Sequence, residues 1–141
     1  MCGICGVADF SGPPVQHSVI ETMLQTLHHR GPDDRGVFVG GGVGLGHARL
    51  SIIDLTSAGH QPMLSEDGAV SLVFNGEAYN FQTLRATLEA DGFVFRGRSD
   101  TEVVLAAYLR WGRDSFKLID GMFAFALWDS RSEEHTSELQ S

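Results

Sequence analysis

The sequence predicts an α+β fold, because its candidate helices and strands do not alternate. They follow the order strand, helix, several strands, two helices, strand, whereas a doubly wound sheet would alternate strand and helix throughout. Hydrophobic residues make up 43% and charged residues 20% of the chain, a balance that supports a packed core and argues against disorder. At 141 residues the chain is expected to form one domain.

Four segments have the pattern of strands. Residues 2–10 are a short apolar run that ends at a Gly-Pro-Pro turn, and residues 36–54 indicate strands interrupted by consecutive glycines. Residues 69–74 predict another strand, and Asn75-Gly76 directly after it is typical of a tight hairpin turn. Residues 122–128 alternate large apolar side chains with alanine, which predicts a core strand with one tightly packed face.

Three segments have the pattern of helices. Apolar residues recur at helical spacing over residues 19–27, and Gly31-Pro32 ends that helix. Asn80 is the expected N-cap of a second helix, which carries apolar residues on one face. Ser99-Asp100-Thr101-Glu102 has the form of a capping box and is expected to open the third helix.

Charge and composition exclude several classes of protein. The formal net charge of −8, with no basic run, argues against nucleic-acid binding. No apolar run approaches the roughly 18 residues of a membrane helix, and the first ten residues carry no Lys or Arg for a targeting signal. The chain has no glycine-rich nucleotide fingerprint. With only two cysteines, it is expected to be cytoplasmic.

Cys2 is a candidate nucleophile because of its position. It follows the initiator Met, and removal of that Met would leave a thiol and a free α-amine on one residue. An α-amine has a pKa of about 7.7–8.0, so it can accept a proton near neutral pH. A nucleophile with its own N-terminal amine as base is a known solution to the problem of activation. The alternative is a small apolar residue in the first strand.

Cys5 adds a second interpretation, because Cys2-Gly3-Ile4-Cys5 is a C-x-x-C motif. In a reducing compartment such a motif can serve redox chemistry or provide half of a zinc site. The histidines do not repeat the ligand spacing of a zinc finger, and a thioredoxin-like motif would follow a strand rather than begin the chain. A non-catalytic redox or binding module therefore remains an alternative to an enzyme.

Three further positions could bind a ligand. Arg49 lies among apolar neighbours, where its guanidinium needs a carboxylate from a ligand or from an internal acid such as Asp54. Asn75 and the N–H of Gly76 could stabilise an oxyanion if they do not form a plain turn. Asp100 could bind an ammonium group, although an acid is also favoured in any first helical turn.

Taken together, these segments resemble the N-terminal glutaminase domain of class II glutamine amidotransferases, and most closely that of the glutamine-hydrolysing asparagine synthetase family. The motifs occur in family order from residue 1 to about residue 129. One departure is Ala78, where the family more often has Ile. The matching segments are Met1-Cys2-Gly3-Ile4-Cys5-Gly6, His29-Arg30-Gly31-Pro32-Asp33, Arg49-Leu50-Ser51-Ile52-Ile53-Asp54, Gln61-Pro62, Asn75-Gly76-Glu77-Ala78-Tyr79-Asn80, Ser99-Asp100-Thr101-Glu102 and Gly121-Met122-Phe123-Ala124-Phe125-Ala126.

The resemblance implies an N-terminal nucleophile hydrolase fold, a four-layer αββα sandwich of antiparallel sheets. It implies that the Cys2 thiol attacks the side-chain amide of glutamine, with Asn75 and Gly76 stabilising the oxyanion. It also implies that Arg49 binds the α-carboxylate of glutamine and that Asp100, with Glu77, binds its α-amino group. The wall of the glutamine pocket is then formed by Leu50, Ser51, Ile52 and Ile53.

The resemblance also implies partners outside this chain. In the family, ammonia passes to a C-terminal synthetase domain that activates aspartate with ATP and Mg²⁺. We therefore expect no metal or cofactor in this chain, a synthetase domain in the same full-length chain, and a possible homodimer of that full-length protein. A relative that amidates a sugar or peptide acceptor is the alternative within the enzyme class.

The expected domain comprises residues 1–130, incomplete at its C-terminus, and residues 131–141 are expected to be non-native. This tail has no apolar periodicity and resembles the translation of a sequencing-adapter oligonucleotide. Without the family's next strand, residues 122–128 would be an exposed apolar edge prone to aggregation. Sequencing the source locus tests the origin of the tail, and genomic codons that continue through it would contradict the hypothesis.

Overall fold

The computed structural model describes residues 2–50, 57–131 and 134–140, and within them two antiparallel sheets face each other. The first sheet contains β1 (Gly3–Ala8), β2 (Asp34–Gly40) and β3 (Val43–Arg49), with β3 in the centre. The second sheet contains, in spatial order, β4 (Met63–Leu64), β5 (Val70–Ala78), β6 (Gly121–Asp129) and β7 (Glu134–Gln140).

Helices cover the outer face of each sheet. The first sheet is covered by α1 (His17–Gln25), and the second by α2 (Phe81–Ala90) and α3 (Asp100–Trp111). This is the predicted αββα sandwich, and the α+β class is confirmed. Of the helices in the described ranges, none has the length and apolar character needed to cross a bilayer.

Three apolar layers hold these elements together. Ile20 and Leu24 of α1 pack on Ala48, and the largest layer lies between the second sheet and its two helices. Between the two sheets, Leu45 of β3 packs with Val73 of β5. Burial of each such side chain contributes about 1.5–3 kcal/mol, so the layers fix how β3 lies over β5.

Asn75-Gly76 is not a turn, and this prediction from the sequence is wrong. Both residues lie inside β5, which pairs with β6 as far as Ala78. An Asn-Gly pair permits a turn, but it also permits extended backbone, and here pairing with β6 outweighs the local preference. The extension of β5 by four residues beyond the predicted end at Phe74 brings Asn75 and Gly76 to the edge of the sheet.

The predicted helix caps are only partly formed. Asn80 occupies the N-cap position of α2, but its side chain donates to the Leu118 carbonyl at 2.8 Å and accepts from Asp120 N at 2.9 Å instead of capping the helix. Ser99 caps α3, accepting from Glu102 N at 3.3 Å. The Glu102 carboxylate accepts from the backbone before the helix rather than from Ser99, so only half of the capping box is present.

The expectation that β6 would be an exposed edge is also wrong. The backbone of β7 pairs with β6 from Phe123 to Asp129. The edge of β6 that would be left open without a neighbouring strand is therefore paired. All of β7 belongs to the segment 131–141, whose non-native origin stays a prediction.

Candidate active site

A cleft of about 270 Å³ lies between the N-terminal end of β1, the C-terminal end of β3, strand β5 and the start of α3. The structure brings together here seven of the residues selected from the sequence: Cys2, Arg49, Leu50, Asn75, Gly76, Glu77 and Asp100. The remaining three, Ser51, Ile52 and Ile53, lie outside the described residues. The cleft therefore collects residues from four distant parts of the sequence.

The Cys2 thiol is held against the end of β3. Leu50 N donates to Cys2 Sγ at 3.2 Å, and Sγ lies 3.5 Å from the Leu50 carbonyl oxygen. These two contacts hold the sulfur in one position at the end of β3. On the other side, Arg30 Nε donates to the Cys2 carbonyl at 3.4 Å. Backbone and sulfur of this residue are thus both fixed.

Close packing explains why glycine follows Arg30. A Cβ at position 31 would overlap the backbone of Ala48 and Arg49. Because Gly31 has no side chain, the short 3₁₀ helix His28–Arg30 can lie directly beside β3. This approach brings Arg30 within reach of Cys2, a contact that the sequence did not reveal because the segment also fits an ordinary helix end.

Cys5 belongs to a different environment. A Cβ on Gly46 would lie 2.7 Å from both Cys5 Sγ and the side chain of Ile20, so this thiol faces α1. Burial raises the pKa of Cys5, which keeps it protonated. Both cysteines are free. Among the described residues, no group of three or more His, Cys, Asp or Glu side chains is placed to hold a metal ion.

The exposed edge of β5 provides hydrogen-bond donors to the cleft. Phe74 N and Ala78 N donate to side chains that lie along this edge, at 2.7 Å and 3.0 Å. Since N–H groups of alternate residues in a strand point to the same edge, Gly76 N–H also points there, between them. Within the described part of the chain, no side chain accepts from Gly76 N–H, and the Asn75 amide makes no hydrogen bond.

Gly76 must be glycine for steric reasons. Its φ of 137° lies in the region that side chains rarely adopt. A Cβ at this position would also overlap the carbonyl oxygen of Met122 on β6. The strand can therefore carry its open N–H into the cleft only with glycine at this position.

Two buried groups of opposite charge line the same cleft. Arg49 is 7% exposed at the end of β3, and Asp100 is 6% exposed at the first residue of α3. Burial, reinforced by the charge of Glu77, raises the pKa of the Asp100 carboxyl, although the N–H groups of Ala78 and Thr101 oppose this. A cation bound beside Asp100 would favour its charged form. Asp54, the internal acid considered for Arg49, lies outside the described residues.

His47 also lines the cleft, and no pattern in the sequence pointed to it. It is fully buried between the sheets, and neither ring nitrogen has a hydrogen-bond partner of acceptable geometry within the described residues. Burial lowers the pKa of His47 to about 4, with the nearby charges of Arg49 and His60 acting in the same direction. The backbone of Phe74 and the carboxylate of Asp34 only partly oppose it, so His47 is neutral near pH 7.

Comparison with known proteins identifies the family. The sequence profile described as "Glutamine amidotransferase domain" matches residues 1–137. The chain belongs to this family. It is 44% identical over 134 residues to asparagine synthetase [glutamine-hydrolyzing] 1 of Bacillus subtilis, covering 92% of this chain and 21% of that protein. It is 39% identical over 137 residues to asparagine synthetase B [glutamine-hydrolyzing] of Escherichia coli, covering 96% of this chain and 24% of that protein.

A further relative has a different name. Amidase chry2 of Gibberella zeae is 45% identical over 117 residues, covering 82% of this chain and 17% of that protein. The chain thus spans about a fifth of the length of these curated relatives.

The fold is shared with a solved structure. The glutamine phosphoribosylpyrophosphate (PRPP) amidotransferase from B. subtilis, complexed with ADP and GMP, superposes with a TM-score of 0.76 at 22% identity. The match covers 92% of this chain and 35% of that one. The family and this likeness of fold together support the N-terminal nucleophile hydrolase architecture.

The neutral His47 predicts a pH dependence of stability. The unfolded state takes up a proton at a pKa near 6.5, whereas the folded state does so only at about 4. The unfolded state therefore binds more protons between these values, so this contribution is present above pH 6.5 and is lost as the pH falls through 4. The difference amounts to about 3 kcal/mol in the free energy of unfolding.

Urea unfolding of the wild type and His47→Leu between pH 7 and pH 4 measures this contribution. The wild type should lose more stability on acidification than the variant, because leucine removes the titrating group. Subtracting the two curves cancels shared groups such as Asp100, whose raised pKa acts in the opposite direction. Parallel curves would contradict the assignment.

Proposed function

We propose that this domain hydrolyses glutamine to glutamate and ammonia with Cys2 as the nucleophile. The observation that carries this proposal is the common cleft of the Cys2 thiol, the donors at Asn75 and Gly76, and the buried charges Arg49 and Asp100. A thiol next to unpaired donors suits acyl transfer. The buried Arg49 and Asp100 side chains beside them suit the two α-groups of a zwitterionic amino acid. Membership of the glutamine amidotransferase family supports glutamine as that substrate.

The reaction follows from these groups. After removal of Met1, the α-amine of Cys2 takes the thiol proton, and Sγ forms a bond to the side-chain amide carbon of glutamine. The amide oxygen becomes an oxyanion, which the Asn75 amide and Gly76 N–H stabilise, with each such donor worth about 2.7–4 kcal/mol. The carbon–nitrogen bond then breaks, and the leaving nitrogen takes the proton from the α-ammonium group to give ammonia.

Water completes the cycle. It attacks the γ-glutamyl thioester carbon, with the α-amine again accepting a proton, and the same donors stabilise the second oxyanion. The carbon–sulfur bond breaks, glutamate leaves, and Cys2 recovers its thiol proton. Leu50 N, 3.2 Å from Sγ, stabilises sulfur as it leaves.

Substrate choice comes from the two buried charges. Arg49 binds the α-carboxylate, and Asp100, with Glu77 at the rim, binds the α-ammonium group. Both charges are buried, so an amide that lacks either α-group would lose one of the two charge interactions with this cleft. This explains selection of glutamine over a simple amide. Leu50 to Ile53 are proposed to form the apolar wall.

The full-length protein is proposed to pass the ammonia to a synthetase domain that makes asparagine from aspartate with ATP and Mg²⁺. The glutamine-hydrolysing asparagine synthetases among the relatives, which are four to five times longer, support this. In this proposal ATP and Mg²⁺ bind to that synthetase domain. The full-length protein is proposed to be cytoplasmic and able to form a homodimer. The amidase chry2 supports a different acceptor as the second candidate. The redox module is less well supported, because Cys2 and Cys5 face different surroundings.

Replacement of Cys2 in the full-length protein tests the nucleophile. Cys2→Ala should abolish glutamine hydrolysis, because Cys5, the other thiol of this chain, faces α1 rather than the cleft. Cys5→Ala should retain hydrolysis. Glutamate release measures both, and mass spectrometry should show loss of Met1 and a single alkylation of Cys2 by a glutamine-like affinity reagent. Asparagine formation from aspartate, ATP and free ammonia should survive in Cys2→Ala. Glutamine hydrolysis by Cys2→Ala would refute the assignment.

Replacement of Asp100 tests the ammonium site. The wild type should prefer glutamine over 4-carbamoylbutanoate, which lacks only the α-amino group, because that analogue leaves Asp100 unpaired. Asp100→Asn should reduce this preference in kcat/KM by about 30-fold or more, corresponding to roughly 2 kcal/mol or more for a truncated buried charge pair. Asp91→Asn, which removes an exposed carboxylate paired with Arg110 outside the cleft, is the control. An unchanged preference in Asp100→Asn would exclude this role.

A further inference from the structure

Gln61 lies just before the short strand β4, beside the part of the β5 edge that β4 does not pair with. β4 pairs Met63 with Leu72, so the same antiparallel register, continued by two residues, sets Gln61 opposite Phe74. The backbone of Gln61 instead lies against the first sheet. It is so close to Gly36 of β2 that a Cβ on Gly36 would overlap the Gln61 carbonyl oxygen. The side chain reaches back to β5, and Gln61 Oε1 accepts from Phe74 N at 2.7 Å.

The other end of the same amide reaches the start of α3. Gln61 Nε2 donates to Thr101 Oγ1 at 3.1 Å, and Gln61 is only 6% exposed. Thr101 follows Asp100, which accepts from Ala78 N at 3.0 Å. The N–H groups on both sides of Gly76 along this edge are therefore held by the side chains of Gln61 and Asp100. The bond from Gln61 to Thr101 ties the first of these side chains to the residue next to the second.

We propose that Gln61 is a positioning residue for glutamine hydrolysis. Its amide takes the place of a neighbouring strand at Phe74 and leaves the next N–H on that edge, at Gly76, open to substrate. Through Thr101 it also fixes the distance between this donor and the carboxylate of Asp100. The inference rests on the proposed function, because it assigns the Gly76 N–H to the oxyanion.

The physical reason is preorganisation. An oxyanion donor is effective when it already points to where the charge develops, and a shift of about 1 Å can cost about 100-fold in rate. If a neighbouring strand paired along this edge, its backbone would accept the hydrogen bond from Gly76 N–H and leave no donor for the substrate. An edge with no support would be free to move. Gln61 supports the edge at one N–H only. A merely structural role would lower stability without selectively lowering kcat.

Gln61→Met in the full-length protein tests the proposal. Methionine keeps the length of the side chain but lacks the amide, so both hydrogen bonds are lost. The kcat of glutamine hydrolysis should fall by about 10- to 100-fold while KM for glutamine stays nearly unchanged, because the interaction acts on the transition state. Tyr108→Phe is the control, since it removes another buried hydrogen bond, to Asp129 at 2.8 Å, away from the cleft. It should lower Tm and leave kcat unchanged.

Wild type and Cys2→Ala separate this inference from the proposed function. If the wild type hydrolyses glutamine and Cys2→Ala does not, the function stands, and an unaltered kcat in Gln61→Met would overturn the role of Gln61 alone. A fall in kcat that Tyr108→Phe reproduces at equal loss of Tm would also overturn it. If Gln61→Met does not fold, Thr101→Val decides, because it removes only the link to α3. A lower kcat at constant KM supports the proposal, and a wild-type kcat rejects it.

Discussion

The open edge of β5 is the constraint on which the rest of the site depends. In the described part of the chain, β4 accompanies β5 for only two residues, while β6 pairs with its other edge throughout. Buried N–H groups need acceptors, and two of those beyond β4 find them in the side chains of Gln61 and Asp100. The one between them, at Gly76, faces the cleft. A sheet with a full neighbouring strand at this edge would have no donor to offer a ligand.

The electrostatics of the cleft suit a zwitterion. Asp100 and Arg49 are both almost completely buried, and burial disfavours the charge of the carboxylate until a cation reaches it. His47, next to them, is neutral because burial lowers its pKa to about 4, so it adds no positive charge that would repel the ammonium group of a ligand. The cleft thus matches a ligand that carries both a positive and a negative charge. β3 holds the positive group, α3 holds the negative group, and neither sign is in excess.

Much of the fold and several site residues could be predicted from local sequence. The helical spacing of Ile20 and Leu24 and the alternation in β6 reflect which face each element buries, so α1 and β6 were found correctly. The position of Cys2 identified it as a candidate nucleophile without any structure. Asn75-Gly76 was wrongly interpreted as a turn, because local propensity cannot weigh the pairing of β5 with a strand more than 40 residues away in sequence.

The sequence alone therefore established the α+β class and identified Cys2 as a candidate nucleophile and Arg49 and Asp100 as candidate ligand-binding residues. Folding established which of them meet. Arg30 and Gln61 were missed because each acts through a neighbour distant in sequence: Arg30 through the carbonyl of Cys2, and Gln61 through β5 and α3. His47 was missed because its burial depends on how the two sheets pack. Periodicity records which side of an element is buried, whereas hydrogen bonds between elements depend on how sheets and helices lie against each other, and that is settled only when the layers pack.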